Sequence, residues 1–237
     1  MPHPPTPPAR QLDYYLLAAD GSGRPEAVVV EEWVLRDDGT AIGIDNVTWT
    51  AAQRSWQCTP ALSRDLRADD GLRARISAVS ADAAQDALAQ LGGGELPDEP
   101  WLRGRFADFL PLPSAPLLRL GPAQAPPGFR DRHVYRILFA GDLDRHGLQC
   151  LRLWWRLEPV EPAADPSGRL VGRARREVDD HELSWELRRV GPGLGWAVDL
   201  TACLRDGPAS AVPLLLRDLR QLARAHGLLP VTVERLG

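Results

Sequence analysis

Lysine is absent from this chain: all 28 of its basic residues are arginine. A P-loop needs a lysine for its phosphates, a protein kinase needs its strand lysine, and Schiff-base catalysis needs a lysine amine. These three mechanisms are excluded. Methionine occurs once, tyrosine three times, phenylalanine four times and asparagine only at Asn46, while glycine and proline number 21 and 22. Residues with AT-rich codons are scarce together, which is the mark of a high-GC bacterial genome rather than of selection against lysine modification. Arginine still changes the surface, because each guanidinium is permanently charged and forks onto carboxylates or phosphates.

Cysteine is also scarce. Cys58, Cys150 and Cys203 are odd in number and far apart, with no C-x-x-C, so neither a disulfide framework nor a zinc ribbon is expected. The expected compartment is the reducing cytoplasm. No apolar run approaches the ~20 residues of a membrane span, and MPHPPTPPAR has no apolar core of a signal peptide. No membrane partner is expected. G-x-S-x-G, H-E-x-x-H and EF-hand patterns are missing. The run from Gly191 to Gly195 is glycine-rich, but it lies between two strand patterns without the helix N-terminus that a phosphate site uses.

The patterns present define an α+β protein, with a smaller α+β N-terminal half and an antiparallel, sheet-rich C-terminal half covered by one long helix. The expected organisation is a disordered proline-rich lead over 1–10, an N-terminal domain over 11–110, a proline-rich linker or crossing over 111–130, and a C-terminal domain over 131–237. Proline fixes φ and removes a donor, and six prolines fall between Pro111 and Pro127. In the first half, strands are expected over 11–18, 27–36, 41–47 and 73–79. Helices are expected near 60–67, after Ser80 as N-cap with Gly92 closing, and from Asp98 to about Phe109. In the second half, strands are expected over 133–140, 148–157, 169–178, 181–190, 194–202 and 229–235. Helix 211–226 has Ser210 as its N-cap and Gly227 at its end.

One hairpin can be set in register. A two-residue turn at Asp179-Asp180 places Val178 opposite His181, Arg176 opposite Leu183, Ala174 opposite Trp185, Gly172 opposite Leu187 and Leu170 opposite Arg189. Large side chains then face small ones, as a packed face requires. The other face pairs Glu177 with Glu182, Arg175 with Ser184, Arg173 with Glu186, and Val171 with Arg188. Strand 148–157 alternates in the same way, giving a stripe of Arg152, Trp154 and Arg156. Of the eight tryptophans, Trp33 and Trp196 share strand faces with apolar residues and belong to a core, whereas Trp49 and Trp56 lie in irregular sequence and are candidates to line a groove.

Three functional readings follow. The leading one is a cytoplasmic, non-catalytic binding or accessory protein whose partner is another protein. Its surface would be Arg152, Trp154, Arg156, Arg173, Arg175 and Arg188, since tryptophan and arginine dominate binding hot spots. No cofactor is expected on this reading. The second is a metal-dependent hydrolase or nuclease. In a five-strand meander, Asp142, Asp144, His146, Asp179, His181 and Asp199 would share one sheet end and hold a divalent metal. The third is a nucleic-acid or nucleotide binder using the Arg/Trp strand faces. The adjacent carboxylates Glu31 and Glu32 sit on a strand, point to opposite faces and cannot act together.

Overall fold

A computed structural model describes residues 11–19, 23–112, 124–161, 165, 167–191, 195–207 and 209–237. The proline-rich lead, most of the proline-rich crossing and Pro192 to Leu194 of the glycine-rich run lie outside them. The described residues form two antiparallel sheets with helices, an α+β architecture. No described helix is long and apolar enough to cross a membrane. By contacts the chain divides into two compact units. One comprises Met1–Val34, Gly43–Asp65 and Arg75–Pro111; the other comprises Leu35–Ile42, Leu66–Ala74 and Leu112–Gly237.

The first unit carries β1 (Asp13–Ala18), most of β2 (Pro25–Leu35) and β3 (Ala41–Thr50), β4 (Ser55–Gln57), β5 (Ile76–Val79) and β6 (Phe109–Pro111). They form a sheet in the order β4-β3-β2-β1-β5, with β6 also paired to β3. Of its helices, α1 (Pro60–Ala68) begins here, α3 (Ala81–Gln90) packs on β1, and α4 is Glu99–Arg103. Ser80 and Asp98 cap α3 and α4, accepting from the Ala83 and Trp101 amides. Glycine at position 92, with φ +81, ends α3 in the left-handed region.

Leu12, Tyr14, Val28, Val30, Val47, Trp49, Ala84, Leu88 and Leu102 make the core. Trp49 faces Trp56 across β3 and β4 and is 2% exposed, and Trp56 packs against the same core. Of the expected groove-lining tryptophans, Trp49 therefore belongs to the interior, because β3 continues three residues past Val47 and carries it inward, while Trp56 on β4 is half-buried against the same core. Glu31 and Glu32 diverge as alternation requires: Glu31 accepts from the Ser63 hydroxyl at 2.6 Å, and Glu32 pairs with Arg103 at 2.9 Å. Asn46 donates to Ser63 and accepts from Thr59, so the buried polar side chains satisfy one another.

The second unit carries α2 (Asp70–Arg73), β7 (Asp131–Ala140), α5 (Arg145–Trp154), β8 (Leu170–Val178), β9 (His181–Arg189), β10 (Trp196–Leu204), α6 (Ala211–Ala225) and β11 (Leu229–Arg235). The sheet order is β11-β7-β10-β9-β8. The amphipathic α6 contacts β10 and β11, burying Val212, Leu216, Leu219 and Ala223. Ser210 is already helical, at φ −60 and ψ −22, and its side chain makes no cap hydrogen bond.

The β8–β9 hairpin holds the register from Val178↔His181 through Gly172↔Leu187. Asp179 and Asp180 form its turn with φ +50 and +64, the left-handed pair that a two-residue hairpin turn uses. Beyond Gly172 the register shifts, and Leu170 rather than Val171 meets Arg188. The bulge lies beside a second contact. Glu158 and Arg173 exchange backbone hydrogen bonds of 2.7 and 3.1 Å, and a Cβ at Gly172 would come within 2.8 Å of Leu157 Cβ.

Segment 148–157 is not a strand. Asp144 Oδ1 accepts from the Gly147 amide at 2.6 Å and starts α5 there. Gly147, Leu151 and Trp155 recur every fourth residue and are buried, while Arg152, Leu153 and Trp154 are exposed. Leu-x-Leu-x-Trp fits both periods, and the cap and the four-residue repeat decide the outcome.

Candidate functional site

The second unit's sheet has one apolar face and one charged face. On β9, His181, Leu183, Trp185 and Leu187 are buried, while Glu182, Ser184, Glu186 and Arg188 alternate onto the other side. The strand registers align one charged row across all five strands: Arg173, Glu186, Asp199, Arg136 and Glu234. Arg136 donates to both Asp199 oxygens at 2.6 and 2.8 Å, and Arg188 approaches the second of them at 3.0 Å. Arg188 also donates to Glu186 at 2.6 Å. Arg173 lies 3.5 Å from Glu186, and Arg175 donates to Glu182 at 2.6 Å. The hydrogen bonds to Asp199 hold the Arg136 guanidinium above its ordinary pKa, against the opposing effect of burial. Burial also raises the Glu234 carboxyl, and nearby Arg136 only partly offsets it.

Two cavities flank the β8–β9 hairpin and share Arg156, Ala174, Arg175 and Trp185. The first, about 530 Å³, has three indoles in its wall, Trp154, Trp155 and Trp185. Leu215, Leu219 and Leu222 of α6 line it as well, with Arg156, Arg175, Arg176 and Asp218 as its charged members. The second, about 480 Å³, is lined by residues of the charged face, among them Arg173, Ser184, Glu186, Asp199 and Thr201, with Glu158 and Arg156. Both volumes fall in the range of small-ligand sites. Trp154 is 69% exposed, whereas Trp155 and Trp185 are buried. Neither buried indole N–H has a hydrogen-bond acceptor among the described residues.

This geometry regroups the expected binding residues. Trp154, Arg156 and Arg175 line the first cavity, and Arg156, Arg173 and Arg175 line the second. Arg156 reaches both from just beyond the end of α5, at φ +54. Arg152 sits exposed on α5 and lines neither cavity, and Arg188 is committed to Asp199 and Glu186. The Arg152-Trp154-Arg156 strand stripe does not exist, since two of its members are helical and the third follows the helix. Sequence reading missed Trp155, Arg176 and the α6 leucines as site residues. The spacing of Gly147, Leu151 and Trp155 behind an Asp cap was the available signal for the first of them.

The six Asp and His residues proposed for a metal are not brought together. The turn after β7 leaves the sheet beside Trp196, whereas the Asp179-Asp180 turn lies at the Cys203 end. A nine-residue strand separates the two turns by roughly 25 Å. The meander expected for this region fails because 148–154 belongs to helix α5. Each residue also has local work. Asp142 accepts from the Leu143 amide at 2.9 Å and the Trp196 indole at 3.2 Å. Asp144 caps α5, and Asp199 is paired with Arg136. His181 is 1% exposed and accepts from the Arg205 amide at 3.2 Å, so it is an interior residue. His146 lies 3.6 Å from Cys150, one turn along α5, with the His226 ring nearby. Among the described residues, no three His, Cys, Asp or Glu side chains form a group that would hold a metal.

No family model, no curated protein and no solved structure matches this chain. What the fold and the site define is a class: an α+β protein with an arginine- and tryptophan-lined concavity on an antiparallel sheet.

Proposed function

We propose that this is a cytoplasmic, non-catalytic binding protein whose working surface is the Trp/Arg concavity around the β8–β9 hairpin. One observation carries the reading. An exposed tryptophan, Trp154, lines a cavity of small-ligand size together with Arg156 and Arg175. Tryptophan and arginine are the side chains that give most when a partner covers them. A concave site favours a small ligand over the flat footprint of a protein partner. Three unpaired thiols, Cys58, Cys150 and Cys203, fit a reducing compartment. The strand-face arginines offer less to nucleic acid than their number suggests, because Arg173 and Arg175 already face Glu186 and Glu182.

The test compares wild type with a Trp154→Ala/Arg156→Ala double variant by thermal shift. Both are mixed with the small-molecule and macromolecular fractions of a bacterial extract. The reading expects a fraction that stabilises wild type and leaves the variant unmoved. A wild type that responds to neither fraction, or a variant that responds equally, overturns it. A response confined to the macromolecular fraction returns a protein partner to first place.

A further inference from the structure

We infer that the first cavity takes a small aromatic anion, its ring against the tryptophans and its carboxylate or phosphate at the arginines. The inference rests on the binding role proposed above and names its ligand class.

The charge balance favours an anion. Arg156, Arg175 and Arg176 line the cavity against one carboxylate, Asp218. Asp218 is already engaged by Arg217 at 3.0 Å, and Arg175 by Glu182. No carboxylate pairs with Arg156 or Arg176 among the described residues. Two permanently charged forks are therefore uncommitted, and a planar carboxylate or phosphate matches their donor geometry.

The wall favours a ring. Three indoles and three leucines line one cavity, and a flat aromatic body packs face or edge against indole better than a saturated chain does. Trp154, 69% exposed, leaves apolar surface in water that a bound ring would cover.

The experiment is a calorimetric titration of the full chain with 2-naphthoate, its neutral counterpart 2-naphthamide, and octanoate. The expected result is saturable one-to-one binding of 2-naphthoate, with the amide and octanoate each at least tenfold weaker. Trp154→Ala and Arg176→Gln, both at exposed positions, are expected to weaken 2-naphthoate at least fivefold while keeping the wild-type melting temperature. Equal binding of amide and carboxylate overturns the anion; equal binding of octanoate overturns the ring; equal binding by the variants overturns the cavity. Absent naphthoate binding overturns the inference alone if the extract test still separates wild type from its variant. If that test fails too, the binding role falls with it.

Discussion

Asp199 on β10 accepts both hydrogen bonds of a forked Arg136 guanidinium on the neighbouring β7, at 2.6 and 2.8 Å. The pair sits at the centre of the charged row, with Asp199's side chain only 12% exposed. Converting Asp199 to Asn leaves Arg136 and Arg188 facing each other without their shared carboxylate. The expected loss is about 2–3 kcal/mol, the worth of hydrogen bonds to a charged partner in a half-buried site. Urea unfolding measures it, and a loss near zero would mean that solvent screens the pair.

Asp144 links a cap to the site. Its side chain starts α5, and α5 delivers Trp154 and Trp155 to the cavity wall. Asp144→Ala is expected to cost about 1 kcal/mol. Hydrogen exchange should quicken in the first turn of α5, at the Gly147 amide in particular. Unchanged protection there would contradict the capping role.

Gly172 is required by close approach. Alanine at this position must displace Leu157 or the Glu158 carbonyl, 2.8 and 3.0 Å from the added carbon. An overpacked site of this kind loses about 1–3 kcal/mol. Gly172→Ala should lower the melting temperature and expose the amides of Glu158 and Arg173 to exchange.

The hairpin turn can be improved. Asp179 and Asp180 both occupy the left-handed region, where glycine and asparagine are favoured over other residues. The double change Asp179→Asn with Asp180→Gly is expected to stabilise the protein by about 1 kcal/mol. Denaturant midpoints should rise without a change in slope.

Tyr135 gives a pH signature. Burial first, and the nearby Asp38 carboxylate second, push its phenol up to about 12. The folded value lies above the ordinary ~10, so the fold favours the protonated phenol. Its contribution is complete below pH ~10 and is lost as pH rises through about 12. Tyr135→Phe removes this loss. Stability curves of wild type and variant should run parallel below pH ~10 and diverge above it.

The β8–β9 hairpin was legible because its information is local. Two acidic residues set a two-residue turn, and large-small complementarity across Ala174–Trp185 and Gly172–Leu187 admits one register. The bulge at Val171 was not legible, because it lies beside the Glu158–Arg173 contact, made by a segment that follows α5. The α5 segment was misread because Leu151, Leu153, Trp155 and Leu157 satisfy a two-residue period as well as a helical one. Trp49 was misplaced by ending β3 at Val47, and Trp56 because the short β4 that carries it pairs only with the continuation of β3. The acidic turns lost their common end once one expected strand became a helix, since removing a strand reverses which turns are neighbours.

By itself the sequence determined the mechanisms that lysine would have permitted and now excludes, the α+β class, the registered hairpin, and the residue types, arginine and tryptophan, that any binding surface would use. Those depend on side-chain chemistry and on periods of a few residues. The tertiary structure decided which arginines are spent on carboxylates and which remain uncommitted. It also decided that Trp154, Trp155 and Trp185 converge with α6 on one cavity. Residues from β8, β9, α5 and α6 meet there only after strand order is set, and strand order is chosen by long-range burial that no local pattern encodes.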